Sequence, residues 1–141
     1  MATVSRPEVC HIADAADRLG LIVSAWTEML QRGSIRALAE VLSPDVIWQG
    51  VLPDQVCRNR EEVLSLVGRP GRRPRRLTRL EAEEIGDRVV VSVEGPDFPP
   101  LDGQPVASRR SLVFTFADGR IVRIESTPTR ERAFEIARTP A

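Results

Sequence analysis

Apolar residues recur along the first part of the chain at steps of three and four. Ile12, Ala16, Leu19, Val23, Trp26 and Leu30 lay one stripe down a helix, which Gly33 ends and Gly20 bends or splits. Ser5-Arg6-Pro7-Glu8 reads as its capping box, with proline in the first turn. Ser34 then caps a short helix carrying Ile35, Leu38, Val41 and Leu42. That helix must stop before Pro44, because the residue ahead of a proline is pushed out of the α region. Asp45 to Gln49 follows as a first strand. Asn59-Arg60-Glu61-Glu62 is a second capping box, opening a third helix through Val63, Leu64, Leu66 and Val67 that Gly68 and Pro70 close.

From Leu77 the period changes to two. Leu77 to Ile85, Arg88 to Glu94, Val106 to Phe116 and Arg120 to Thr127 read as four consecutive strands of an antiparallel meander. Gly86-Asp87 and Asp118-Gly119 fall where tight hairpins are needed, and Gly95 to Gly103 makes a longer loop. Thr129 to Ala137 finishes the chain as a short helix. The pattern predicts one α+β domain over residues 1–141, a curved, mostly antiparallel sheet wrapped around N-terminal helices to leave a conical hollow.

Composition narrows the chemistry. The 20 basic and 20 acidic residues cancel, so no global field draws the chain to nucleic acid or anionic lipid. All the basic residues are arginine and there is no tyrosine, which excludes Schiff-base catalysis through lysine and a phenolic acid. His11 is the sole imidazole, while Cys10 and Cys57 stand apart with no ligand-spaced histidine, so no metal site and no cofactor is expected. The N-terminus lacks a signal-peptide pattern and no apolar run is long enough to span a bilayer, so a cytoplasmic protein without a membrane partner is expected. The segment from Arg69 to Arg79 holds six arginines with glycine and proline. It is either a solvated loop or an anion-binding one, and the lack of interleaved aromatic residues argues against nucleic acid.

Four stretches carry a family resemblance: Gly33-Ser34-Ile35; Leu42 to Trp48; Cys57 to Val63; and Phe114 to Val122. Together with the element order, they make the chain resemble the nuclear transport factor two-like superfamily and, within it, SnoaL-like bacterial proteins with a cystatin-like cone. The resemblance implies a mainly apolar pocket for a small hydrophobic molecule, serving an isomerase, cyclase or hydrolase-type enzyme. The alternative is a non-catalytic dimeric association or ligand-binding module. It also implies a homodimer paired through a sheet face bearing Val113 and Thr115.

Carried over position by position, the family's catalytic groups are not found. Ketosteroid isomerases place a phenol, a carboxylate base and a neutral acid where this chain has Trp26, Gly50 and Leu112. The acidic residue of the cyclases' late strand falls on Ser126, and their histidine on Ile124. The implied pocket residues are Trp26, Met29, Leu30, Trp48, Gly50, Leu112, Phe114 and Ser126. If Leu112 faces the hollow, strand alternation puts Ser108, Arg110 and Phe114 there too. A guanidinium inside needs a carboxylate such as Glu94 or Glu125, a bound anion, or a route to the rim. Arg110, Asp54 and Ser126 are therefore the candidate catalytic groups. Cys57 is a candidate nucleophile beside Arg58, or else an inert, partly buried thiol.

Overall fold

The structure is a computed structural model describing residues 14–68, 76–95 and 109–139. The expected Ser5–Glu8 cap, Cys10, His11, most of the arginine-rich segment and the residues from Pro96 to Ser108 lie outside the described residues.

The apolar stripe builds helix α1, Asp14–Arg32, which runs unbroken through Gly20. It stops at Gly33, whose φ of 73° is the left-handed geometry glycine adopts at little cost. Helix α2 spans Arg36–Val41 with Ile35 at its N-cap, and no side chain caps it, so Ser34 does not play the part its sequence position suggested. Strand β1 begins at Leu42, earlier than Asp45, and runs through Pro44 to Gln49. The proline is tolerated because pairing breaks register between Leu42 and Ile47. A two-residue strand β2, Val56–Cys57, that the hydrophobic pattern did not reveal, pairs back onto β1.

Helix α3 covers Arg60–Val67. Asn59 Oδ1 accepts from the Glu62 amide at 2.9 Å, and Glu62 reaches back to the Arg58 amide at 2.7 Å. Strands β3 (Arg79–Ile85), β4 (Arg88–Glu94), β5 (Arg109–Ala117) and β6 (Arg120–Thr127) form the meander. Its tight turns use left-handed Gly86, Asp118 and Gly119. Helix α4, Arg130–Arg138, follows.

The six strands lie in the order β2-β1-β6-β5-β4-β3, antiparallel except where β1 runs parallel to β6. Ile22, Ala25, Trp26, Met29 and Leu30 of α1 bury against Val89, Val91 and Val93 of β4 and Leu112 and Phe114 of β5. This is the concave side. Burying such side chains contributes roughly 1.5–3 kcal/mol each, which is what holds the helix in the bend of the sheet. Arg18 secures the other end, pairing with Glu84 at 2.8 Å and donating to the Gly86 carbonyl.

The other face is also covered. Val90 and Val113 bury under Ala133, Phe134 and Ala137 of α4. Val113, expected on an open face that pairs two chains, is thus packed beneath the chain's own last helix. Arg88 holds that helix down, its guanidinium donating to the carbonyls of Ile136, Ala137 and Thr139. Those carbonyls lie at the end of the helix, where carbonyls run out of intrahelical partners, although the Ile136 carbonyl also accepts from the Thr139 amide.

Candidate functional site

Between α1, α3 and the concave sheet a cavity of about 790 Å³ remains. Its lining comes from α1, α3, the β1–β2 loop and strands β4, β5 and β6. Trp26, Met29, Leu30 and Leu112 form the apolar wall, and Trp48 joins them from β1. Strand alternation explains the last placement: Val46 and Trp48 face inward while Ile47 points out.

The two indoles meet edge to face with ring centroids 5.9 Å apart, and Phe114 packs edge-on against Trp26 at 5.1 Å. Phe114 is wholly buried behind that indole and is not among the residues lining the cavity. Trp48 is fixed a second way, because its Nε1 donates to Ser126 Oγ at 2.9 Å.

Polar groups are few. Ser126 and Arg110 line the concave sheet, and Asp54 and Gln55 line the cavity from the β1–β2 loop. Register explains the first pair: Leu112 sits opposite Ser126 across the β5–β6 ladder, and Arg110 is two residues along β5 on the same face. Glu125 pairs with Arg123 at 3.4 Å. Asp54 is exposed, while Arg110 is half-buried.

The β1–β2 loop that carries Asp54 is cross-braced. The Gly50 amide donates to the Gln55 carbonyl at 2.6 Å, and Gln49 Nε2 donates to the carbonyls of Gly50 and Leu52. Gly50 is packed so closely that a Cβ there would stand 2.6 Å from Gln55 Cβ. The position where isomerases of the resembled superfamily hold their base therefore has no room for a methyl group, let alone a carboxylate, unless the loop moves.

Cys57 lines the cavity beside Val56. Burial, and then the Glu62 carboxylate, push its thiol above the ordinary range. The thiolate form is disfavoured and the expected help from Arg58 does not prevail, so the inert alternative is the one the electrostatics support. Among the described residues no cluster of histidine, cysteine or acidic side chains could hold a metal ion, and no helix is long and apolar enough to cross a membrane. Residues Trp26, Gly50 and Leu112 do stand together at the cavity, but none of them can transfer a proton.

A bent sheet closed over one long helix, with a hollow left at the open end, places the protein in the cystatin-like α+β class of the nuclear transport factor two-like superfamily. The SnoaL-like domain model matches residues 23–124, and the chain belongs to that family. No curated protein matches it. Among solved structures it is similar to a candidate polyketide cyclase from Xanthomonas campestris pv. campestris, at 21% identity over 88% of this chain and 98% of that one, with a TM-score of 0.61. A cystatin-like protein of unknown function from Xanthomonas campestris gives 24% identity over 80% of this chain and 94% of that one, with a TM-score of 0.54. An epoxide hydrolase of the LEH-like type from M. tuberculosis gives 18% identity over 85% and 88%, with a TM-score of 0.55. At these identities the likeness establishes the fold.

Proposed function

We propose that the protein binds a small, flat, mainly apolar molecule in the hollow between α1 and the concave sheet. The observation that carries this reading is the set of both indoles of the chain against a cavity of about 790 Å³, the size range of small-molecule sites. Apolar walls supply affinity by leaving water, and the polar groups of the sheet and of the β1–β2 loop give orientation. Polyketide-like, steroid-like and terpene-like molecules fit such a hollow, and the names borne by the similar structures, a polyketide cyclase candidate and an epoxide hydrolase, point to ligands of the same kind. Among the described residues of the lining no acid and base stand matched, and the support is for binding.

A thermal-shift screen with those three ligand classes, followed by circular dichroism, tests it, because a ligand that binds the folded state alone raises the unfolding midpoint. At least one class is expected to raise it, by an amount that falls in Trp48→Ala. No shift from any class at a hundred micromolar would count against the reading.

A further inference from the structure

An indole N–H can only donate, so in the Trp48–Ser126 contact the serine oxygen must accept. That fixes the direction of the serine. With a lone pair already occupied by Trp48, its own O–H is turned away from the indole nitrogen and left to donate elsewhere, and the residue lines the cavity. An indole proton on the oxygen also draws electron density from it, which strengthens the hydroxyl as a donor.

Arg110 lies on the same concave face. Ser126 stands opposite Leu112, and Arg110 follows one inward-facing position along β5, roughly 7 Å away. Arg110 has a partner within the fold. A guanidinium carries five N–H donors in a planar fork that matches the two oxygens of a carboxylate. Of the titratable groups lining the cavity, the cation is half-buried on the sheet, the acid Asp54 is exposed on the loop, and the Cys57 thiol is held in its neutral form.

We infer that the cavity selects a flat apolar molecule bearing a carboxylate, whose oxygens are received by the Ser126 hydroxyl and the Arg110 guanidinium while its ring system lies against Trp26 and Trp48. This rests on the reading given under Proposed function and narrows it to one class of ligand. A charge-assisted bond to a carboxylate is about twice as strong as a neutral one, and a guanidinium matches the paired oxygens of a carboxylate. An ester offers the same rings and a carbonyl, but no charge. Discrimination between acid and ester therefore isolates the two donors from the apolar walls.

The test is calorimetric titration of the full chain at pH 7 with anthracene-2-carboxylate and with its methyl ester. The acid is expected to bind at least tenfold more tightly than the ester. Ser126→Ala and Arg110→Gln should each erase most of that preference, weakening the acid more than the ester. Trp48→Phe removes the indole N–H together with part of the wall, so it should weaken both ligands, and the acid by a few-fold more than the ester. The acid-to-ester ratio in the unaltered protein needs no variant to fold. Equal binding of acid and ester would overturn the carboxylate assignment and leave the apolar pocket standing. Binding of neither would overturn both.

Discussion

Replacing Trp48 probes wall and donor together. Trp48→Ala removes an indole that offers roughly 150–250 Å² and is mostly buried. At about 25 cal/mol per Å² the lost burial is worth on the order of 3 kcal/mol. The edge contact with Trp26 adds about 0.5–1.5 kcal/mol, and the bond to Ser126 about 1 kcal/mol. Relaxation of the exposed side of the cavity offsets part of this, so a net loss of about 3–4 kcal/mol is expected. The finer measurement is a double-mutant cycle between Trp48→Phe and Ser126→Ala, in which the indole surface lost in both backgrounds cancels and the Nε1–Oγ contact remains. Urea denaturation followed by circular dichroism at constant slope gives each free energy. A coupling of about 1 kcal/mol is expected. A coupling indistinguishable from zero, with both single variants folded, would refute the Nε1–Oγ bond and the donor role built on it.

Three further outcomes follow from the geometry. Arg88→Ala strips a charged donor from the last carbonyls of α4, so hydrogen exchange should quicken in Ala133 to Ala137 while α1 is unaffected, at a cost of about 1–3 kcal/mol. Gly50→Ala drives a methyl into Gln55; a loss of about 1–3 kcal/mol is expected, with weaker ligand binding by calorimetry, and wild-type behaviour would deny the close packing of that loop. The raised Cys57 thiol favours folding as long as both states stay protonated, below about pH 8.5. As pH rises beyond that, the unfolded chain ionises first and stability drains until the folded thiol also ionises. In a Cys10→Ser background, denaturation midpoints should fall over that range and Cys57→Ser should remove the fall.

Local signals in the sequence carried much of the fold. The Asn59–Glu62 cap, the Gly33 stop and both tight hairpins were legible because each depends on a residue type that fits one backbone geometry. Non-local facts were not. Two residues, Val56 and Cys57, are too few to show a period, so β2 stayed hidden. The position of α4 over Val113 was also missed, although β4 carried a sign of it: Val89 to Val93 is an almost unbroken apolar run, as in a strand buried on both faces. Ser34 was misjudged because a capping residue works only where the chain turns, and the turn falls one residue later. At the cavity, Trp26, Met29, Leu30, Trp48, Gly50, Leu112 and Ser126 could be brought together by family resemblance and alternation. The share taken by Gln55, Val56 and Cys57 depends on how the β1–β2 loop folds back, which no period encodes.

The meeting of the two indoles makes the protein its own optical probe. With no tyrosine in the chain, ultraviolet emission comes from Trp26 and Trp48 alone, and both stand at the hollow. At 5.9 Å the rings are near enough for their excited states to couple. An occupant displacing either ring would change emission colour and near-ultraviolet ellipticity at once, so ligand can be followed without a label.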